Sequence, residues 1–284
     1  MRVLVLGAAG MLGNACLRLF AQSEGFEAIG AVRSAASADL LPRDVRDKVI
    51  AGVDVVRHDD LVRVISRTAP DAIINCVGVV KQLESARDPL EAIPTNSLLP
   101  HRLARLAGLA KARFIHISTD CVFAGSRGMY RESDVADADD LYGRSKLLGE
   151  VDYPHAITLR TSIIGHELSG ARSLIGWFLS QDAPVEGFTK AVFSGLPTVE
   201  IAKLIRDRVL PDPSLHGLYH VSAEPIDKYS LLRLVAEAYG KDIAIVPSER
   251  IRIDRSLDSS RFRAATGFAP QSWPELVATM ERFR

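Results

Sequence analysis

The chain has 284 residues, 47% apolar, 25% charged and 6% aromatic, proportions that exclude a disordered, collagenous or coiled-coil protein. Thirty-five basic and 35 acidic side chains leave no formal net charge, whereas a nucleic-acid binder normally carries a basic excess. At this length a folded chain buries roughly three-quarters of its unfolded surface, so no metal or disulfide staple is needed for stability.

Apolar runs at residues 3–6, 28–32, 53–56, 72–77 and 114–118 read as strands, and several are apolar without alternation, as in a parallel sheet covered on both faces. Residues 11–22, 60–67 and 96–110 supply the intervening helices. Pro100 lies inside the last of these and argues against an unbroken helix there, because it lacks a backbone donor. From about residue 161, Gly165, Gly170, Pro184, Gly187, Pro197, Pro211, Pro213 and Gly217 divide the chain into shorter pieces. Residues 199–209 and 230–239 retain helical spacing, and 218–221 reads as one more strand. The expected fold is α/β: a Rossmann-type, doubly wound parallel sheet over residues 1–160, with a smaller substrate-binding lobe over 161–284 whose elements interleave with it.

GAAGMLG, with Gly7, Gly10 and Gly13, sits between the first strand and the first helix. There glycines let the backbone approach a pyrophosphate at a helix N-terminus. Such folds place an acidic residue after the second strand to bind a free ribose hydroxyl, and a basic one to accommodate a ribose phosphate. Here Arg33 and Ser34 take that place, with no acid before Asp39, which favours NADP over NAD.

Tyr142 and Lys146 form YGRSK, and their i,i+4 spacing on a helix puts both on one face. A neighbouring ammonium is expected to lower the phenol pKa and ease proton exchange with a carbonyl or alcohol oxygen. The strand 114–118 runs into ISTD, leaving the hydroxyls of Ser118 and Thr119 at the carboxyl edge of the sheet. The strand 72–77 ends NCVG near the same edge, with Asn75 and Gly78. Ligands of open α/β sheets bind at that edge.

Taken in order, GAAGMLG, Asp54 with Val55, NCVG, Asn96, STDCVFAG and YGRSK resemble the extended short-chain dehydrogenase/reductase superfamily, and within it the dTDP-4-dehydrorhamnose reductases. LRTSIIG after YGRSK and RSLDSSRF near the C-terminus extend the resemblance over essentially the whole chain. The resemblance implies that Thr119, Tyr142 and Lys146 are the catalytic hydroxyl, acid and cofactor-anchoring cation. It also implies that Gly7, Gly10, Met11, Leu12 and Gly13 line the pyrophosphate and that Asp54 and Val55 contact adenine. Val77, Gly78 and Thr161 complete the cofactor contacts, Arg160 and Ser162 share the stretch flanking the nicotinamide, and Asn96 sits on the helix beneath the site.

The implied activity is NADPH-dependent reduction of a nucleotide-linked keto-deoxysugar in polysaccharide biosynthesis, with NAD as the alternative cofactor, by a monomer or homodimer. Two rivals are a sugar-nucleotide epimerase or dehydratase of the same superfamily and a non-catalytic dinucleotide-binding regulatory subunit. Cys121 stands where the family has an aromatic, and Val79 and Val80 where it has a Tyr-Thr pair, which leaves the particular sugar open. Trp177, Phe178, Phe193 and Pro197 fit a sugar cleft or a core equally well.

Other signals are declined. Cys16, Cys76 and Cys121 are odd in number and lack CxxC spacing, so neither a disulfide framework nor a zinc knuckle is expected; Cys76 and Cys121 are read as packing residues, neighbours at strand ends. His216 and His220 lie on a strand, where i,i+4 side chains stand too far apart to chelate easily. The acidic run Asp134, Asp137, Asp139 and Asp140 lacks the pattern of a calcium loop and is expected to cap the helix bearing Tyr142. With no stretch near 18 apolar residues and too short an N-terminal apolar run for a signal peptide, a cytoplasmic protein without membrane or nucleic-acid partners is expected.

Overall fold

A computed structural model describes residues 1–80 and 84–284. The apolar runs of the first half form strands β1 (Arg2–Leu6), β2 (Glu27–Ala31), β3 (Val49–Ile50), β4 (Ala72–Asn75), β5 (Arg113–Thr119) and β6 (Ala156–Thr161). Between them lie helices α1 (Met11–Ala21), α2 (Ala35–Asp39), α3 (His58–Thr68), α4 (Pro89–Ala92), α5 (Leu99–Leu109) and α6 (Leu141–Leu148). The rest of the chain adds β7 (Ile163–Ile164), α7 (Leu174–Leu179), β8 (Val185–Phe193), β9 (Leu196–Pro197), α8 (Thr198–Leu204), β10 (Gly217–His220) and β11 (Ile226–Asp227). It ends with α9 (Lys228–Tyr239), β12 (Ile245–Asp254), α10 (Ser260–Thr266) and α11 (Trp273–Arg282).

The seven-stranded main sheet has the order β10-β6-β5-β4-β1-β2-β3, and its pairings are parallel. It therefore winds outward in both directions from β1, and the switch between β1 and β4 opens a crevice at their carboxyl ends. Alternation along β1 sends Val3 and Val5 into one core and Leu4 and Leu6 into the other, all fully buried. The first core runs from Leu17 and Phe20 of α1 to Ile201, Leu232 and Val277 of α8, α9 and α11; the second is closed by Leu61 and Val64 of α3 and Leu103 of α5. A small sheet, β11-β8-β12, lies outside the main one.

Two expectations about the elements need correction. Residues 53–56 are not a strand: β3 ends at Ile50, Gly52 takes φ +82°, and Asp54 closes a turn by accepting from the backbone N–H of Val56 at 3.1 Å. A strand cannot pass through a left-handed residue, and the short side chain of Asp favours the turn. Residues 96–110 are helical, but Pro100 does not interrupt them. It falls in the first turn of α5, where a missing donor costs no helix bond, and the preceding turn, Ile93–Leu98, widens into a π-helix around Pro94. No helix among the described residues is long and apolar enough to cross a membrane.

Candidate active site

The glycine turn is shaped by close backbone approaches. Gly7 takes φ +77°, where a side chain is strained, and a Cβ on Gly13 would stand 2.1 Å from the Gly7 carbonyl oxygen. Gly10 caps α1 without a side chain, so no cap competes for the amides of its first turn. A Cβ there would meet the Gly7 oxygen at 3.2 Å. Backbone donors at a positive helix end facing a crevice form a cradle that fits a pyrophosphate.

α6 is pressed against the end of β5. Asp140 caps it by accepting from the Gly143 amide at 2.7 Å, and a Cβ on Gly143 would stand 2.3 Å from the Cys121 oxygen. That approach brings the side chain of Tyr142 to the same cleft wall as Thr119. One turn later Lys146, only 6% exposed, donates to the Ile117 carbonyl at 2.7 Å. Beneath them Asn96, in the π-helical turn, accepts from the Val79 amide at 2.9 Å and donates to the Val79 oxygen at 3.2 Å and the Ser145 hydroxyl at 3.1 Å. It ties the segment after β4 to the helix bearing Tyr142.

Burial sets the protonation states. The Tyr142 phenol is pushed up, foremost by desolvation and then by the charges of Cys121 and Asp120, with the Thr119 hydrogen bond opposing. This corrects the expectation that Lys146 lowers it: burial governs the shift, and the phenol is protonated at physiological pH. Desolvation lowers Lys146 to about 8, against the favourable charge of Glu150. His116, fully buried on β5, is held well below the usual histidine range by burial and by the charge of Lys146.

Behind the site, Glu150 and Arg160 form a buried bidentate pair, with contacts of 2.7 Å and 2.6 Å. Ser118 also donates to Glu150 at 2.7 Å, and the far nitrogen of Arg160 lies 3.1 Å from His220 Nε2. Arg160 therefore does not flank the cleft. Side chains alternate along β6, so when Thr161 faces the ligand side Arg160 faces the core. His220, from the declined histidine pair, is occupied by Arg160 and the Tyr130 carbonyl. Among the described residues no group of His, Cys, Asp or Glu is arranged to hold a metal.

A cleft of about 520 Å³ opens along the carboxyl edge of the sheet. Of the residues singled out in the sequence it is lined by Gly10, Met11, Leu12, Val77, Gly78, Thr119, Tyr142, Lys146 and Thr161. Gly7 and Gly13 stand behind, as the frame of the turn. Arg33, Asp54 and Val55 lie outside the lining; Arg33 is exposed after β2, and one Asp54 oxygen is committed to its own turn. Phe193 reaches the cleft, whereas Phe178 is buried in the core and Trp177 is 36% exposed. Cys76 and Cys121 both line the cleft, and the Cys76 thiol, with burial, pushes that of Cys16 on α1 up. Sequence reasoning missed Asp120, Glu167, Arg172 and Lys228, which also line the cleft. Nothing in their local sequence separates them from helix starts and loop charges.

The fold and site define a dinucleotide-type Rossmann protein of the extended short-chain dehydrogenase/reductase kind. The profile of the RmlD substrate binding domain matches residues 1–282, and the chain belongs to that family. It is 31% identical over 253 residues to methionine adenosyltransferase 2 subunit beta of Danio rerio, covering 84% of this chain and 74% of that one. A structure described as a hypothetical dTDP-4-dehydrorhamnose reductase from Sulfolobus tokodaii superposes with TM-score 0.78 at 26% identity, over 96% of this chain and 98% of that one. The dTDP-4-dehydrorhamnose reductase of Bacillus anthracis, solved in complex with NADP, gives 0.80 at 19% identity, over 99% and 97%.

Proposed function

We propose that the protein is an NADPH-dependent reductase of the keto group of a nucleotide-linked sugar, the keto-deoxysugars of the dTDP-4-dehydrorhamnose type being the nearest class. The observation that carries this reading is that Tyr142, Thr119 and buried Lys146 line one cleft together with the glycine turn. The cradle and the family support a nicotinamide dinucleotide, and Arg33 supports its phosphorylated form. When bound, the reduced nicotinamide supplies the hydride.

The chain's own residues do the rest. The Thr119 hydroxyl holds the substrate oxygen, and the neutral Tyr142 phenol gives it a proton as the carbonyl is reduced. The Lys146 ammonium, fixed on the Ile117 carbonyl, favours the phenolate that this leaves behind. Asn96 holds the Val79 segment against α6 and so keeps the floor of the cleft in place.

Mixing the protein with NADPH and a panel of dTDP- and UDP-linked 4-keto-6-deoxysugars tests the reading through loss of the reduced-nicotinamide signal, with Tyr142→Phe as control. Net consumption separates a reductase from an epimerase or dehydratase, which recycles its nicotinamide. The identity with a methionine adenosyltransferase subunit favours a second reading, a dinucleotide-binding regulatory subunit. Capture of a partner enzyme with no turnover of any sugar nucleotide would select it.

A further inference from the structure

The peptide that joins Cys76 to Val77 lies against the glycine turn: a Cβ on Gly7 would meet the Val77 nitrogen and the Cys76 carbonyl carbon at 3.2 Å. Cys76, Val77 and Gly78 line the cleft, as Gly10 does. The backbone N–H of Val77 donates to Oδ1 of Asn75 at 3.1 Å, and Nδ2 of Asn75 lies 3.2 Å from Nδ1 of His116. Asn75 and His116 stand opposite each other in the β4–β5 ladder, and both are fully buried.

These contacts fix the proton of the ring. A backbone N–H can only donate, so the atom of Asn75 that faces Val77 is the carbonyl oxygen, and the amide nitrogen faces His116. That nitrogen has only hydrogens to offer. Nδ1 of His116 is therefore the bare acceptor, and in a neutral ring the proton sits on Nε2. Burial and the charges of Lys146 and His101 keep the ring neutral. Among the described residues the buried Nε2 has no hydrogen-bond partner.

A donor buried without a partner costs at least as much as one ordinary hydrogen bond returns. An apolar side chain would avoid that cost, and β5 carries Phe114 and Ile115 fully buried beside this position. What the ring supplies in return is an acceptor for Asn75. We propose that His116 is a positioning residue of the cleft: by accepting from Asn75 it sets the amide whose oxygen holds Val77 against the glycine turn. The inference rests on the reading that this cleft takes a nicotinamide dinucleotide, and it adds a residue that does not itself line the cleft. It also pairs His116 with Asn96, which holds Val79 in the same segment.

Asparagine and leucine have nearly the same shape, but only asparagine carries an acceptor where Nδ1 stands. His116→Asn and His116→Leu therefore share the loss of the ring and differ at the hydrogen bond. Fluorescence titration should show NADPH held ~5-fold or more weakly by His116→Leu, with His116→Asn recovering most of that loss. In the wild type, nitrogen–proton correlation NMR should place the ring proton on Nε2. Equal weakening by the two substitutions would show that the bulk of the ring matters and not its acceptor, and would overturn the proposal. So would wild-type affinity in both. A proton on Nδ1 would overturn it whether or not the variants fold, because Asn75 would then turn its oxygen to the ring and away from Val77. If the wild type does not bind NADPH, the dinucleotide reading itself fails, and the inference with it.

Discussion

The side-chain amide of Asn96 satisfies both backbone groups of Val79, accepting from its N–H at 2.9 Å and donating to its C=O at 3.2 Å. One side chain thereby replaces a missing strand partner just beyond β4. Asn96→Ala removes these bonds and the one to Ser145, leaving polar groups unpaired in a largely buried place. We expect a loss of about 2–4 kcal/mol in urea unfolding. NADPH affinity should also fall, because the Val79 segment lines the cleft. Unchanged stability would mean that water replaces the amide.

Tyr142→Phe removes the phenol hydroxyl and leaves the ring. Turnover should drop at least ~100-fold, the usual contribution of a general acid. The dissociation constant for NADPH, read by fluorescence titration, should move only a few-fold. Undiminished turnover would sink the assignment of Tyr142.

Two glycine substitutions separate strain from collision. Gly25 takes φ +79° with nothing within 4 Å of its missing Cβ, so Gly25→Ala should cost only the left-handed backbone term of about 1–2 kcal/mol. Gly13→Ala drives a Cβ to 2.1 Å from the Gly7 oxygen and must push α1 off the turn. Dinucleotide binding should vanish in the Gly13 variant and survive in the Gly25 variant, as read by the NADPH-induced rise in melting temperature.

The pKa of Lys146 is lowered to about 8, and on the proposed anchoring role it should set the basic limb of cofactor binding. Below that pH the ammonium is present. As pH rises through it the charge is lost, so NADPH affinity should be flat from pH 6 to 7 and fall above 8. Lys146→Arg should push this limb upward, because a guanidinium holds its proton throughout the range. Affinity that stays level to pH 10 in the wild type would show that Lys146 is not an anchor.

Arg33→Asp should reverse the sign of the charge after β2. The ratio of kcat/KM with NADPH to that with NADH should fall at least ~10-fold, since the carboxylate repels a ribose phosphate and accepts from a free hydroxyl. If the ratio does not move, Arg33 is a solvated surface charge.

Much of the fold was legible because two-sided burial leaves a plain trace: VLVL of β1 is apolar throughout and AIIN of β4 at every position but the last. The glycine turn and the Tyr142 helix were legible for a related reason, since close backbone contact and a fixed i,i+4 spacing both restrict residue type locally. Residues 53–56 were misread because three valines outweighed the glycine and aspartate that turn the chain. Arg160 was misplaced because a motif gives its neighbourhood and not the face of the strand it occupies. Lys228 stands 109 residues beyond Thr119 in sequence, and only the packing of α9 brings it to the same cleft.

β10 joins the main sheet beside β6, pairing Gly217–His220 with residues 157–160. The nucleotide-binding sheet is therefore finished by a strand synthesised long after the other six, and a fragment ending near residue 160 would expose the β6 edge and leave Arg160 without His220. Such a fragment should aggregate and not fold. The same ladder acts as a strap between the two regions of the chain: hinging them apart at residue 160 would mean tearing β10 from β6. Ligand entry and release should then fall to the loops around the cleft, with the sheet staying whole.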